Sequence, residues 1–367
     1  MKKICLYSER WMDGGIENFL VNIVVILSQK NDFSIATSQK ETNAYDKILN
    51  NNNCELISMN DKQIKNPFTR TFYSILNLKK TMSDGNYDVI HINMYNSIGL
   101  FYAFLIKNKK NKIICHAHNT GIDNDMFYIK RIIHNVLKYI FTNKNYTYIA
   151  CSNEAAKFCF NMKKVSKVTI VNNGIDIEKF IYNEETRKRM RKDLKLDDNT
   201  IVIGHVGRFV EQKNHSFLID IFQEYNNINP NSKLLLIGTG ETKVEIENKI
   251  KKMKLEKNVL FVGNVNNVNE YMQAFDMLIL PSLYEGLGIV LIEAQASGLK
   301  CIVSNKIPKN AKITENFVVA NLTDNARKWA EIIEKNVKYK RKNTTNEIRK
   351  MKYDRKSNLE IMEGLYE

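Results

Sequence analysis

Apolar residues along this chain recur in two alternating rhythms. The run Ile4–Tyr7 leads into a loop holding Gly14 and Gly15, and Ile16, Phe19, Leu20, Ile23, Val24 and Leu27 then follow at helical spacing. Strand, glycine turn and helix are the elements this pattern predicts. Apolar runs at Phe33–Thr37, Val89–Ile92, Ile113–Cys115 and Tyr148–Cys151 predict further buried strands, with enough chain between them for crossover helices. The same order restarts with Ile201–Val206, Leu234–Ile237, Val259–Val262, Met277–Leu280 and Cys301–Ser304. The expected fold is α/β, with two Rossmann-like, doubly wound parallel-sheet domains. Asn172–Asp198 carries the turn signal Asn173-Gly174 and a charged helix around Arg187–Lys192, which suits a hinge. The expected domains are residues 1–175 and 176–345. Residues 346–367, with Ile348, Met351, Leu359, Ile361 and Leu365 available to dock, are expected to return to the first domain.

Composition narrows the class. A chain of 367 residues that is 44% hydrophobic and 26% charged is neither disordered, collagenous nor disulfide-stapled. Its six cysteines show no C-x-x-C or zinc spacing and read as reduced. The N-terminal apolar run is too short for a signal-peptide core, and Phe19–Leu27, broken by Asn22, falls far short of the roughly 20 residues a membrane span needs. The expectation is a cytoplasmic protein. Its net charge of +15, with 24 Lys and Arg against 15 Asp and Glu in residues 1–180, implies an anionic partner. Nucleic acid, an acidic membrane surface and a phosphorylated small molecule all fit that charge.

Doubly wound sheets take ligands beyond the carboxyl ends of their strands, so two facing domains are expected to form one cleft. After the strand ending at Val206 come Gly207-Arg208, then Lys213, then a helix opening at Asn214. Two cations beside a helix N-terminus can hold a diphosphate and stabilise it as a leaving group without a metal, although surface Arg and Lys are common. Further on, Glu285 follows a strand, Gly286 and Gly288 let backbone approach a ligand, and Glu293 lies among apolar residues of the next helix. Carboxylates accepting hydrogen bonds from sugar hydroxyls would explain both glutamates; a partly exposed helical charge is the plain alternative for Glu293. His116 and His118 follow the Ile113–Cys115 strand, and both are expected at the cleft rim. Spacing suggests no third metal ligand near them, and a structural role stays open. Asp123-Asn124-Asp125 resembles a cation-holding D-x-D pair, but no apolar strand leads into it, so these aspartates read as solvated or acceptor-facing. Phe127–Phe141, with Lys130, Arg131 and Lys138, could rest on an acidic membrane; the favoured reading is a helix packed into the core.

The segment from Glu285 to Glu293 is similar to the E-x7-E signature of retaining glycosyltransferases of family 4, which have the GT-B fold of two facing Rossmann-like domains. Gly14-Gly15-Ile16-Glu17, Asp88-Val89-Ile90-His91, Asn173-Gly174-Ile175-Asp176, Gly207-Arg208 with Lys213, and Leu236-Ile237-Gly238-Thr239-Gly240-Glu241 resemble the family's other motifs in the expected order. Within the family the chain most resembles enzymes of capsular and exopolysaccharide assembly, including His116-Ala117-His118-Asn119.

The resemblance implies that Glu285 holds hydroxyls of the transferred sugar, that Glu293 accepts from the nucleotide ribose, and that Arg208 and Lys213 clamp the diphosphate. Backbone of Gly286, Leu287, Gly288 and Ile289, with Gly14, Gly15, Gly238 and Thr239, would complete the donor site. His118 would face the sugar, and His116 and Asn119 would lie on the acceptor side. The implied activity is metal-independent, retaining transfer of a hexose from a nucleotide diphosphate sugar, with UDP expected, onto a glycan or lipid-linked glycan in polysaccharide biosynthesis. No cofactor is expected, and peripheral contact with an anionic inner membrane face fits the basic first half. A nucleotide-sugar epimerase of the same fold is the first rival. A basic nucleic-acid-binding protein is the second, but the chain shows no reading motif and nucleic acid is not an expected partner.

Overall fold

The structure is a computed structural model that describes residues 1–367 apart from 13, 61–63, 65, 109, 122–126 and 287. It divides into two compact units, Met1–Gly174 with Lys356–Glu367, and Ile175–Arg355. Asp123, Asn124, Asp125 and Leu287 lie outside the described residues.

Unit 1 is a seven-stranded parallel sheet of β1 (Lys2–Trp11), β2 (Asn31–Lys40), β3 (Glu55–Ser58), β4 (Val89–Met94), β5 (Lys112–Ala117), β6 (Thr147–Ala150) and β7 (Thr169–Ile170), in the order β3-β2-β1-β4-β5-β6-β7. Alternation along each strand feeds two cores. Ile4 and Leu6 of β1 face one layer, while Cys5 and Tyr7 face the other. The final helix closes the first of these layers: Leu359, Met362 and Tyr366 join Ile4 and Leu6, and the Asn358 amide donates to the Asn172 carbonyl at 2.9 Å.

Unit 2 is a six-stranded parallel sheet of β8 (Ile201–Val206), β9 (Ser232–Ile237), β10 (Val259–Gly263), β11 (Met277–Leu280), β12 (Lys300–Ser304) and β13 (Phe317–Ala320), ordered β10-β9-β8-β11-β12-β13. In each unit the chain builds outward from its first strand and then crosses to that strand's other side. The resulting switch points lie between β1 and β4 and between β8 and β11. Every strand the apolar runs predict is present, and three more, β3, β7 and β13, extend the sheets outward. Among the described residues no helix is long and apolar enough to cross a membrane.

Three segments differ from expectation. Of residues 346–367 only Lys356–Glu367 join unit 1; the helix Thr345–Lys350 belongs to unit 2, where Ile348 packs into the core. The charged stretch that suits a hinge is built into unit 2. Asn183 caps the helix Glu184–Asp193 by accepting from the Thr186 N–H at 2.7 Å, and two arginines tie the helix to the sheet. Arg187 donates to Asp276 Oδ1 at 2.6 Å and to the carbonyls of Gln273 and Phe275. Arg191, buried, reaches Asp276 Oδ2 at 3.4 Å and the carbonyls of Asp197 and Thr200. A charged helix read as part of a hinge is thus held by buried guanidinium contacts, which sequence periodicity does not register. The helix Phe127–Phe141 precedes β6 as expected, but it is not core-packed on its apolar side. His134 is buried, whereas Ile129, Ile132, Ile133, Val136 and Ile140 are exposed.

Asp276 also accepts from the Val202 N–H at 2.7 Å, so it compensates two guanidinium groups and a strand amide together. Asp276→Ala leaves Arg191 as an uncompensated buried charge and is expected to destabilise unit 2 by about 3 kcal/mol. Denaturant unfolding followed by tryptophan fluorescence checks this, and an unchanged midpoint would contradict it.

Candidate functional site

In unit 2 the loops that follow β8, β9 and β11 meet beside the switch point. The Gly207 N–H donates to the Ile237 carbonyl at 2.9 Å, Phe209 N–H to Thr239 at 2.9 Å, and Thr242 N–H to Phe209 at 3.0 Å, so the first two loops form a backbone ladder. Gly238, at φ +134°, makes that approach feasible, since a Cβ there would stand 2.1 Å from the Gly207 oxygen. The ladder leaves Arg208 and Thr239 exposed at its edge. The Arg208 side chain forms no hydrogen bond or ion pair with the described residues.

The third loop is fastened to the short 3-10 turn Glu211–Lys213. Leu283 N–H donates to the Gln212 carbonyl at 2.8 Å, the Gln212 amide to the Tyr284 carbonyl at 2.9 Å, and the Asn214 amide to the Pro281 carbonyl at 3.1 Å. These bonds bring Lys213 Nζ to 2.6 Å from Glu285 Oε1, with the two side chains only 16% and 6% exposed. The sequence separates their roles; the fold makes them an ion pair. Gly286 is open on the loop, and Gly288, at φ +68°, starts the helix Ile289–Ala296 with Ile289 exposed. No acidic residue occupies that helix's first turn, so its free N–H groups form a neighbouring anion-attracting end.

Glu293 sits on the same helix. Its carboxylate forms no hydrogen bond with the described residues, and burial pushes its pKa up to about 7, against a smaller downward pull from Arg355. Beneath Gly207 and Lys213 lie two buried imidazoles that the sequence reading missed. His205 Nδ1 donates to the Ile279 carbonyl at 2.8 Å, and His215 packs at 4.6 Å from its ring and stacks on Phe209 at 4.1 Å. Burial holds both neutral, with the charge of Lys213 adding to the effect. The available signal was a histidine inside the continuous apolar run of β8.

In unit 1 strand parity places His91 of β4 and His116 of β5 on the face covered by the final helix. Tyr366 Oη lies 2.8 Å from His91 Nδ1, His91 Nε2 lies 3.2 Å from His116 Nδ1, and the two imidazoles stack. His116 is therefore fully buried and not at a rim, because it is still inside the strand. His118, just past the strand end, is half-buried, and Asn119 is exposed. The Asn93 amide nitrogen donates to the Tyr7 carbonyl at 3.1 Å, which turns its oxygen toward His118 Nε2 at 2.9 Å. That contact requires a proton on Nε2 and leaves Nδ1, which has no partner among the described residues, as an acceptor. Burial lowers the His118 pKa to about 3, so the ring stays neutral at physiological pH.

Phe19 touches both His116 and His118 edge-on, linking them to the helix Gly15–Leu27 that the Gly14-Gly15 loop opens. Under Gly14 the buried Glu17 carboxylate accepts from Ser8 Oγ at 3.2 Å and Tyr95 Oη at 3.4 Å. A Cβ on Gly14 would stand 2.7 Å from Glu17 Oε2. Among the described residues no group of His, Cys, Asp and Glu is placed to hold a metal ion.

Two outcomes follow from this geometry. Gly238→Ala forces Cβ against backbone at a strained φ and should cost about 2 kcal/mol or more, a fall in Tm of roughly 4–8 °C by scanning calorimetry. Glu293 has a folded-state pKa above its ordinary 4.5, so its charged form is the one that folding disfavours. The penalty is absent below the ordinary carboxylate pKa and grows as pH rises toward 7. Glu293→Gln is therefore expected to raise stability at pH 8 by up to about 3 kcal/mol and to change it little near pH 4. Equal effects at both pH values would contradict the assignment.

The family described as Glycosyltransferase Family 4 matches residues 13–179, and Glycosyl transferases group 1 matches residues 186–354. EpsF of Bacillus subtilis (strain 168) is 28% identical over 362 residues, 96% of this chain and 93% of that protein. The UDP-Gal:alpha-D-GlcNAc-diphosphoundecaprenol alpha-1,3-galactosyltransferase of Escherichia coli is 28% identical over 251 residues, 66% of this chain and 64% of that protein. The crystal structure of Anabaena Alr3699/HepE in complex with UDP and glucose shares the fold, with a TM-score of 0.74 at 19% identity over 100% of this chain and 99% of that one. With one family spanning its N-terminal half and the other its C-terminal half, on two parallel doubly wound sheets, the chain belongs to the family 4, group 1 glycosyltransferases of GT-B fold.

Proposed function

We propose that this glycosyltransferase moves a hexose from a UDP-sugar to a lipid-linked glycan acceptor in polysaccharide assembly, with retention at the anomeric carbon and without a metal ion. One observation carries the reading: Arg208, the Lys213–Glu285 pair and the start of the helix Ile289–Ala296 are all set by loops meeting at one switch point. In this structure Lys213 and Glu285 satisfy one another. When the donor binds, Lys213 and Arg208 turn to the diphosphate and Glu285 to hydroxyls of the sugar. Glu293, a carboxylate without a hydrogen-bond partner among the described residues, accepts from the ribose.

The bond from the anomeric carbon to the diphosphate oxygen then breaks. The two cations and the helix N–H groups stabilise the departing charge, and an acceptor hydroxyl attacks from the same face, its oxygen bonding to the anomeric carbon while its proton passes to the departing diphosphate oxygen. His118 Nδ1 is suited to accept from a sugar hydroxyl, and Asn93 positions it. UDP is bound in the HepE structure, and the Escherichia coli relative is named for a UDP-galactose donor and a diphosphoundecaprenol-linked acceptor. Such an acceptor would bring the enzyme to the anionic inner face of the membrane as a peripheral cytoplasmic protein.

Turnover of UDP-hexoses with a lipid-diphosphate glycan, in the presence and absence of chelator, tests the reading. Arg208→Ala is expected to lower kcat/KM by about two to three orders of magnitude and to abolish the thermal shift given by UDP. Product NMR should show the donor's anomeric configuration. Loss of turnover with chelator and its return with manganese would overturn the metal-free reading.

A further inference from the structure

The apolar side of the helix Phe127–Phe141 faces outward, the reverse of what burial of hydrophobic surface requires of a free-standing unit. Ile129, Ile132, Ile133, Val136 and Ile140 recur at three- and four-residue spacing and are all exposed, Ile132 at 65% and Ile140 at 56%. Tyr128 and Tyr139 flank them at 80% and 68%. The neighbouring helices continue the surface. Ile98–Ile106 packs beside this helix, bringing the exposed Phe104 ring to 5.2 Å from Phe141, and Pro67–Asp84 packs beside Ile98–Ile106 with Phe72, Tyr73 and Leu76 exposed.

Charge says what covers this face. Residues 127–168 contain eight Lys and Arg and a single acid, Glu154, and the helix itself carries no acid at all. Several of these cations stand at the helix. Lys138 donates to the Lys157 carbonyl, and Lys164 donates to the Tyr139 carbonyl while its ammonium sits 4.8 Å from the centre of the Tyr139 ring. A second copy of the chain seated here would set like charge against like charge. An anionic bilayer meets both demands, taking the apolar side chains into its interface while its headgroups meet the lysines.

We propose that the helix Phe127–Phe141, with Phe104 and the exposed side of Pro67–Asp84, is the docking face by which the protein lies on an anionic lipid surface. The inference rests on the reading of a lipid-linked acceptor and adds to it the surface that reaches the lipid.

Co-sedimentation with vesicles of equimolar phosphatidylcholine and phosphatidylglycerol tests it, alongside UDP thermal shifts on the same proteins. The expected results are binding to these vesicles, little to pure phosphatidylcholine, and weakening with added salt. Ile132→Gln with Ile140→Gln, both at exposed positions, should weaken vesicle binding about tenfold or more, and Lys157→Gln with Lys163→Gln should reduce both affinity and salt dependence. The UDP shift should be unchanged in every variant, which also shows that each is folded. Retained vesicle binding without any UDP shift would count against the nucleotide-sugar reading alone. Equal binding to neutral vesicles, or unchanged binding by the apolar double variant, would overturn the proposal. So would a wild-type dimer that ignores vesicles and becomes monomeric on the apolar substitution, since the face would then belong to a second copy.

Discussion

The close approach of two backbone loops, at Gly238 and Gly207, is the constraint on which the site of unit 2 depends. With no side chain between them, the segments after β8 and β9 run as a ladder, and that ladder fixes the path of Arg208 and Phe209. Phe209 is fully buried and stacks on His215, the first residue of the helix His215–Ile228, so the exposed arginine stands on an aromatic anchor. From there the chain turns through Glu211–Lys213, whose backbone and side chains hold the loop after β11. The Lys213–Glu285 pair is the last link in that sequence of dependencies. It is made by residues far apart in the chain and close only because three strand ends are adjacent.

The polar groups of the interior are handled in two distinct ways. Around Asp276 the charges are compensated: it faces Arg187, Arg191 and a strand N–H, and backbone carbonyls take further guanidinium protons. Two groups of the candidate site are left incomplete. Glu293 has no hydrogen bond among the described residues and an elevated pKa, and His118 Nδ1 has no partner among the described residues either. Such incompleteness costs stability and is what a ligand hydroxyl would repair. The imidazoles of His91, His116, His205 and His215 belong to neither group. Burial keeps them neutral, and they serve as polar packing beneath the strand ends.

Much of this was legible from residue pattern. Continuous apolar runs located the core strands because a strand buried on both faces has few polar positions to interrupt it. The strands left out, β3, β7 and β13, are short and lie toward or at sheet edges, where one-sided burial leaves a mixed pattern. Glu285 and Glu293 were recognisable by spacing, and Arg208 and Lys213 by position after a strand. Asn93 and His205 were not, because each acts on a residue distant in sequence. The family resemblance set His118 against the sugar and His116 on the acceptor side; the position of the strand end separates them physically, one side chain inside the sheet and the other past it.

The sequence by itself determined the α/β order, the two repeats of strand and helix, and the residue types able to hold a diphosphate and a sugar. Those features depend on local periodicity and on which side chains carry which chemistry, and both are written along the chain. Tertiary structure alone decided that Lys213 neutralises Glu285, that Glu293 is desolvated enough to titrate near neutrality, and that the apolar side of Phe127–Phe141 is left uncovered. Each of these depends on what stands across a gap in space. A hydrophobic stripe specifies that something should cover it, but not what does, and a carboxylate's pKa is set by the neighbours that folding supplies or withholds.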